Sequence, residues 1–433
     1  MTAADLPLPL RRIPDFRKLW AANALGDVGA AFGSLALSVT AVVALHASAF
    51  EVAVITALGN GAYLFLGVPA GVWADRMPAK RLLVAADLAR FVAIGSVPVA
   101  YLAHALTVPH LMAAAAVTSA ANVVFEVAHT TALPPVVGRD RVAQASAALQ
   151  GADSTVNVVG PGLAGWLIAL TSGPVAFLVT AAMHLGSSIS AALISTPRTQ
   201  VQASAHPPFW SSLRTGVAFV FRTPLQRTFV LAAATINFGA GFIAASYALF
   251  ALRTLRLGAG EYGVILAIGA VGGILASLVA IHVRRRVGEI RTQVICYSLI
   301  PVAFAPAPLA QHLPVPPAVS MTVAEFLLNL IIVVAAISGA GIYARITPAA
   351  LFGRATAARR TITVGVLPLG TLLGGVLAGS VGYAPTLWVG TGVIACSVLV
   401  LATSPIVRLR DLPQDAGADQ EDGLPRHTPA AAD

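Results

Sequence analysis

Apolar runs long enough to cross a lipid bilayer recur along this sequence. A membrane-spanning helix needs about 20 mostly apolar residues, and twelve such runs are present, six in each half of the chain. In the first half they cover approximately 19–45, 52–73, 82–103, 109–133, 143–171 and 175–194. In the second half they cover approximately 229–252, 262–283, 292–309, 318–343, 362–381 and 385–404. The pattern predicts an all-α membrane protein with twelve transmembrane helices in two groups of six.

The amino-acid composition points to the same class of protein. Only 10% of the 433 residues are charged, whereas about 25% is usual in soluble domains. Apolar residues make up 57% of the chain, and its mean hydropathy is +0.82. A soluble enzyme, a disordered chain and a nucleic-acid-binding protein are therefore excluded, in spite of a formal net charge of +9. Cys296 and Cys396 lie within apolar runs, so neither a disulfide framework nor a cysteine metal site is expected.

One long polar segment divides the chain. It predicts an N-terminal six-helix half at 1–194, a cytoplasmic central loop at 195–228, a C-terminal six-helix half at 229–405 and a disordered tail at 406–433. Within the central loop, apolar residues recur at helical spacing beside two arginines, at Phe209, Trp210, Leu213, Val217, Val220 and Phe221. They predict an amphipathic helix, which either lies on the inner membrane surface or packs under the bundle.

The distribution of basic residues predicts the orientation of the chain in the membrane. If the N-terminus is inside, 24 of the 27 Lys and Arg residues fall on the inner face. The outer loops then hold only Arg253 and Arg256, and Arg90 lies within a span. Because basic residues are enriched in cytoplasmic loops, both termini are predicted to be cytoplasmic. The residues before the first span have no apolar core, so a cleavable signal is not expected.

The connection between the second and third runs carries a recognisable pattern of small, acidic and basic residues, at Gly71, Asp75, Arg76, Lys80 and Arg81. It resembles the loop signature of the major facilitator superfamily, with Pro78 where that family usually has glycine. An acid followed by a basic cluster can hold against another helix end, so the segment is a candidate cytoplasmic gate.

The fifth run contains a second pattern, at Gly160, Pro161, Ala164 and Gly165. Proline removes a backbone donor and small residues allow helices to approach closely. The segment resembles the end of the antiporter signature of superfamily exporters, with Ala164 in place of a glycine. The match is partial, because Val156 stands where that signature has another glycine.

Further segments resemble the branch of the superfamily related to enterobactin and macrolide efflux proteins, at 125–135, 160–165 and 353–375. The resemblance implies two six-helix bundles around a central cavity that alternates between the two sides, lined by spans one, four, seven and ten. It also implies a monomer that exports a small amphipathic molecule. Protons are the expected coupling ion, and no cofactor, metal or nucleic acid is expected. Arg354 and Arg360 are the candidate gate of the second half.

Ionisable side chains at membrane depth are functional candidates, because a charge there costs at least about 2.5 kcal/mol. They are Asp27, Asp87, Arg90, Glu126, Asp153 and Glu325. Asp27, Glu126 and Asp153 come from three helices of one half and lie at similar depth, so they are the predicted proton- or substrate-coupling residues. A buried carboxylate of this kind can take up and release a proton as its surroundings change. For Asp87 and Arg90, at i, i+3 on one helix, a structural ion pair is the alternative.

The remaining cavity candidates are polar or aromatic residues within the spans, at Asn23, Phe32, Asn122, Asn237, Phe238 and Phe242. They predict an exporter with a partly aromatic cavity. Two alternatives stay open: an importer or facilitator of a polar solute on the same fold, and a transport-inactive membrane sensor. Neither a nucleophile–base pair nor an ATP-binding motif is found in the sequence, so an enzyme is not expected.

Overall fold

The computed structural model describes most of the membrane region. The described residues are 10–138, 141–142, 144–146, 148–149, isolated positions between 152 and 167, and 173–195, 209–348, 351–404 and 409–411. The side chains of Asp75, Arg76 and Arg354, together with Asp153, Pro161 and Gly165, lie outside this described part.

The described chain is helical almost throughout. A short 3-10 turn, Leu10–Arg12, precedes the first long helix. The helices are α1 (Pro14–Val39), α2 (Ala49–Arg76), α3 (Ala79–Leu102), α4 (Val108–Val137), α5 (Gly173–Ala192), α6 (Phe209–Arg222), α7 (Pro224–Leu249), α8 (Ala259–Val287), α9 (Glu289–Phe304), α10 (Pro317–Ile346), α11 (Phe352–Gly365), α12 (Leu367–Val381) and α13 (Tyr383–Ala402).

Eleven of the twelve predicted spans correspond to described helices. Among the described residues, nine helical segments are long and apolar enough to cross a membrane. The other two of the eleven, the second and the ninth spans, correspond to α2 and α9. The eleventh is formed by α11 and α12, which meet at Val366, where Pro368 cannot supply the amide needed to continue the ladder. The predicted fifth span lies mostly outside the described residues. The predicted all-α membrane fold is confirmed.

The first helix pair of each half has the same local design. α1 and α7 each finish in a five-residue π-helical turn, Thr40–Ala44 and Phe250–Thr254. A residue with positive φ follows in each half, His46 and Arg256. The helices α2 and α8 then begin with a glutamate at the third helical position, Glu51 and Glu261. Each of these correspondences has an offset of 210 residues, which identifies the halves as internal repeats.

The hydrophobic core divides the molecule into two ends. The end at which α1 begins and α13 finishes is called the terminal end, and the opposite one the loop end. At the loop end, one buried cluster contains residues of both halves, including Ala41 and Leu249. At the terminal end, the two halves have separate clusters, one around Leu19 and one around Phe229. The halves are therefore joined at the loop end and separate at the terminal end.

Close packing between α2 and α12 makes the loop-end junction. A Cβ atom at Gly375 would overlap the Cβ of Ala53, so only glycine allows the two backbones to lie this close. Further towards the terminal end, Gly61 of α2 still lies beside Pro368 of α12. Small residues at such contacts are typical of helix pairs inside membranes, because close backbone approach supplies the packing energy.

Two peripheral segments pack against the second half. In α6, Val217 and Val220 contact the terminal-end cluster of that half, so this face of the amphipathic helix packs on the bundle. The predicted loop boundary at 228 falls inside α7. Residues 409–411, predicted as part of a disordered tail, contact the α8–α9 junction instead. There the Asp411 carboxylate accepts a hydrogen bond of 3.0 Å from the amide of Glu289.

Candidate functional site

A cavity of about 420 Å³ lies on the face of the first half that looks towards the second. α1 contributes Asn23 and Asp27 to its lining, and α4 contributes Asn122 and Glu126. The Asn23 amide donates a hydrogen bond of 2.8 Å to Oδ2 of Asp27. This bond forms because residues four apart lie one above the other on a helix. The structure thus brings four of the sequence-predicted residues into one cavity.

Glu126 makes an ion pair with Arg360 of the other half. The guanidinium group contacts both carboxylate oxygens, Nη1 with Oε1 and Nη2 with Oε2 at 3.2 Å. The two side chains remain 42% and 48% exposed, so they meet in an open cavity rather than in a packed core. Two-point contact between a planar guanidinium and a carboxylate fixes their relative orientation. A residue predicted for coupling and one predicted for the gate are therefore direct partners.

Behind the cavity, Asp87 and Arg90 form a buried ion pair between α3, α4 and α5. Arg90 Nη1 donates to Asp87 Oδ1 at 2.9 Å, and the Ser187 hydroxyl donates to Oδ2 at 2.6 Å. The guanidinium group also lies 4.5 Å from the centre of the Phe125 ring. Arg90 is only 3% exposed, yet it contributes to the cavity lining beside Asp27. The structural ion pair considered for these two residues is present.

A second cavity, of about 320 Å³, extends from the first towards the loop end. We call it the polar recess. Asn122 lines both cavities, and the rest of the polar lining is uncharged, including Asn60, Thr118 and Thr180 with His184. The hydroxyls of Thr118 and Thr180 and both ring nitrogens of His184 are buried without a hydrogen-bond partner among the described residues. Such groups are rarely left unsatisfied, so the recess is suited to water or the polar part of a solute.

Glycines on α1 let α5 come close enough to form the recess. A Cβ at Gly29 would lie 3.0 Å from Cε1 of His184, and one at Gly33 would lie 3.3 Å from the Thr180 methyl. The imidazole is 1% exposed and lies 3.8 Å from the Asp87 carboxylate. His184 was not among the residues predicted for the site, although its position on a mostly apolar span was a usable signal.

The candidates of the second half form a more closely packed surface. The Asn237 amide donates a hydrogen bond of 2.9 Å to the carbonyl of Ala233 on its own helix. Phe238 and Phe242 contact each other edge to face at 5.5 Å. Asn237 is the residue 210 positions after Asp27, so the repeat has an amide where the first half has a carboxylate.

Two other predicted residues lie away from both cavities. Phe32 is 6% exposed and packs in the loop-end core, not in the described cavity lining. Glu325 packs between α10 and α8, where its carboxylate accepts a hydrogen bond of 3.2 Å from Asn329. A Cβ at Gly269 of α8 would lie 2.7 Å from the Glu325 Cβ, which places this acid in a helix–helix contact.

The candidate gate of the first half lies at the α2–α3 junction. Gly71, Asp75 and Arg76 belong to the last turns of α2, and their side chains lie outside the described part of the structure. The Lys80 ammonium donates a hydrogen bond of 2.8 Å to the carbonyl of Ile194, beyond the end of α5. A cation is favourable beside the carbonyl groups at a helix C-terminus. Lys80 therefore links the start of α3 to the end of α5. Arg81 is exposed.

The antiporter-like segment is described only in part. A Cβ at Gly160 would lie 2.7 Å from the Cβ of Ala31, so a glycine is needed for this close contact with α1. Ala164 is fully buried in the loop-end core. Pro161, Gly165 and the predicted coupling residue Asp153 lie outside the described residues.

A contact between the two halves at the loop end was not predicted. Arg253, directly after α7, donates hydrogen bonds to the carbonyls of Val42 at 3.3 Å and Ala47 at 2.8 Å. It also donates to the Tyr383 hydroxyl at 3.4 Å. We call these bonds the loop-end clasp. Its signal in the sequence was that Arg253 is one of only two basic residues in the predicted outer loops.

An ion pair lies at the corresponding α8–α9 junction of the second half. Glu289, at the start of α9, forms an ion pair with Arg345 near the end of α10. In the sequence, Arg345 is only one of the 24 basic residues predicted for the inner face. Its partner, Glu289, directly follows Gly288, whose φ of 96° is accessible mainly to glycine.

Two helical bundles that meet at one end, with ionisable side chains in the cavity between them, define a multi-pass membrane transporter of the major facilitator type. The chain belongs to the transmembrane secretion effector family, whose sequence pattern matches residues 7–428. No curated protein matches the chain in sequence.

Solved transporters have the same fold at low sequence identity. A mutant of the nucleoside transporter NupG is 15% identical, with a TM-score of 0.71 over 90% of this chain and 99% of that chain. A bacterial homologue of the iron transporter ferroportin in its inward-facing state gives 15% identity and a TM-score of 0.70 over 90% and 98%. The same homologue in its outward-facing state gives 15% identity and a TM-score of 0.59 over 90% of this chain and 98% of that chain.

Proposed function

We propose that this protein is a proton-coupled exporter that moves small amphipathic molecules, such as drugs, siderophores or other natural products, out of a bacterial cell. The observation that carries the proposal is that Asp27 and Glu126 line one cavity between the halves, and that Glu126 is paired with Arg360 of the other half. An efflux antiporter needs an acid that is accessible to protons and whose charge affects how the halves interact.

In this mechanism, Asp27 binds the cationic part of a substrate or a proton. Asn23 holds the Asp27 carboxylate towards the cavity through its hydrogen bond of 2.8 Å. The apolar helix surfaces around the site accommodate the rest of an amphipathic molecule. Asp153, which the sequence places at similar depth, is proposed as a third coupling acid.

Protonation of Glu126 would couple the proton to the movement of the halves. A neutral Glu126 no longer attracts Arg360 as an ion pair, so the contact between α4 and α11 weakens. Because both side chains are exposed to the cavity, a proton or a substrate cation can reach the carboxylate directly. Arg354 is proposed to act with Arg360 as the gate of the second half.

The distribution of basic residues supports an orientation with both termini in the cytoplasm. The separate terminal-end cores and the loop-end clasp then correspond to a cavity open to the cytoplasm and closed outside. The higher TM-score with the inward-facing than with the outward-facing ferroportin homologue agrees with this state. An exporter would load its substrate in this conformation. We propose that it works as a monomer, with Gly160 and Pro161 at the interface of the halves.

The polar recess favours one alternative function. Its uncharged side chains, including Asn60 and Asn122, could hold the hydroxyl or amide groups of a hydrophilic solute. A facilitator or importer on the same fold would use such contacts without a proton gradient. A transport-inactive sensor has no comparable support, because the cavity and its ionisable side chains are present.

The test is transport by the purified protein in liposomes with an imposed pH gradient. Ethidium and a panel of other fluorescent cations serve as amphipathic probes, and radiolabelled nucleosides and sugars serve as polar ones. We expect gradient-driven movement of at least one amphipathic cation, abolished by Asp27→Asn. Asp15→Asn is the matched control, because Asp15 lies in the first turn of α1, where it pairs with Lys18.

Two results would contradict this proposal. Full gradient-driven transport in Asp27→Asn would remove Asp27 from proton coupling. Movement of polar solutes alone, at a rate independent of the gradient, would favour the facilitator.

A further inference from the structure

A third cavity, separate from the transport site, lies on the outside of the first half at the terminal end. Its volume is about 940 Å³. The walls are Leu10 and Arg11, the first two turns of α1, Ala148, Ser190 near the end of α5, and Leu193 directly after α5. We call it the α1–α5 groove. The proposed transport mechanism gives it no role.

The rim of the groove is strongly basic. Arg11, Arg17 and Lys18 all line it. Lys18 is neutralised by Asp15, whose carboxylate lies 2.8 Å from its ammonium group. Arg11 and Arg17 are exposed and have no acidic partner within the described part of the chain. Two guanidinium groups therefore face the groove with uncompensated charge.

Below the rim the groove becomes apolar. Trp20 lies one turn further along α1 and is 42% exposed, and Leu193, directly after α5, is 60% exposed. Exposed tryptophan is typical of the level where a helix passes from the headgroup region into the acyl chains. The two arginines thus lie nearer the end of the bundle than Trp20 does. A phospholipid presents its headgroup and its acyl chains in the same order.

We propose that the α1–α5 groove binds an anionic phospholipid. Arg11 and Arg17 hold the phosphate, and one acyl chain lies along Trp20 and Leu193. Basic pockets at this level of a bundle bind anionic headgroups through charge and hydrogen bonds. A free phosphate would use only the rim, whereas the apolar wall provides contact area that only the acyl chain of a lipid can fill. A bound lipid would contact both α1 and α5 and stabilise the first half.

The experiment measures the melting temperature of the full-length protein in detergent on addition of phosphatidylglycerol, phosphatidylcholine or inorganic phosphate. Native mass spectrometry on the same samples counts phosphatidylglycerol molecules that remain bound. The test variant is Arg11→Gln with Arg17→Gln. The matched control is Arg285→Gln with Arg286→Gln, which removes the same charge from exposed positions near the end of α8.

We expect phosphatidylglycerol to raise the melting temperature of the wild type by several degrees, and phosphatidylcholine and phosphate to leave it unchanged. The test variant should lose at least half of this shift and one retained lipid, while the control keeps both. Three results would overturn the proposal: no shift in the wild type, equal shifts in the two variants, or an equal shift with phosphate. If transport fails but the lipid results hold, the groove stands independently of the proposed function.

Discussion

Glu126 and Arg360 form a two-point ion pair between α4 of the first half and α11 of the second. The two residues are 234 positions apart in the chain. A pair that joins the halves across an open cavity responds to any movement that separates them. It also responds to any cation or proton that reaches the carboxylate. These two properties make it the most informative contact to alter.

We expect Glu126→Gln and Arg360→Gln each to reduce gradient-driven transport at least tenfold while changing the stability little. An ion pair that is nearly half exposed contributes only about 0.2–1 kcal/mol to the free energy of unfolding. The charge-reversed double variant, Glu126→Arg with Arg360→Glu, should restore the contact and part of the proton coupling, because its glutamate still loses the ion pair on protonation. Liposome transport and thermal unfolding measured on the same preparations check this. A double variant that transports no better than the single variants would contradict the role of the ion pair.

Removal of the loop-end clasp should favour opening of the loop end. Hydrogen bonds from a charged donor are worth about 1.5–3 kcal/mol each. Loss of the two bonds to Val42 and Ala47 should therefore raise the population of molecules with an open loop end at least tenfold. The variant is Arg253→Gln, and Arg256→Gln is the matched control in the same predicted outer loop.

A cysteine at Thr40, which is fully buried beside the clasp, reports this opening. With Cys396→Ala in the background, a membrane-impermeant maleimide should label Thr40→Cys at least tenfold faster in Arg253→Gln than in Arg256→Gln. Equal labelling rates would show that the clasp does not hold the loop end closed.

Loss of one partner of the buried Asp87–Arg90 pair should destabilise the first half strongly. Asp87→Asn leaves the Arg90 guanidinium, 3% exposed, without its counter-charge. Breaking such a pair costs about 3–5 kcal/mol. Asp15→Asn removes an ion pair nearer the surface and should cost about 1 kcal/mol or less. Thermal unfolding in detergent measures both. A similar loss of unfolding free energy in the two variants would mean that burial does not control the cost of breaking an ion pair.

Close helix packing in the second half can be tested with single methyl groups. A Cβ at Gly239 of α7 would lie 2.6 Å from Cγ1 of Ile394 and 2.7 Å from the Gly390 carbonyl oxygen. Gly239→Ala should therefore lower the free energy of unfolding by about 1–3 kcal/mol. Gly392→Ala, on the same neighbouring helix but with open space around it, should be neutral or stabilising by up to about 1 kcal/mol. A neutral Gly239→Ala would contradict the packing.

Several features of the fold could be predicted because they depend on residues close together in the chain. The apolar runs predicted the helices, and an i, i+3 spacing predicted the Asp87–Arg90 pair. The depth of each residue along its helix was enough to predict that Asp27 and Glu126 lie close together, and both line one cavity. The repeat at an offset of 210 residues was also readable, for example from Phe32 and Phe242.

Local pattern was less informative about which residues face the cavity. Phe32 was expected in the lining, but it packs in the loop-end core. α1 has small or apolar residues on nearly all sides, so its sequence does not distinguish the cavity face from the face that contacts α5. His184 was similarly ambiguous, because its burial depends on Gly29 of a helix more than 150 residues away.

Hydropathy and charge within single spans were sufficient to predict the all-α membrane fold and most of its helices, because neither depends on contacts between distant residues. Tertiary structure alone decided that Glu126 meets Arg360 and that Arg253 closes on Val42 and Ala47. These contacts join residues more than 200 positions apart. They exist only because packing of α2 against α12 joins the halves at the loop end and leaves them separate at the other.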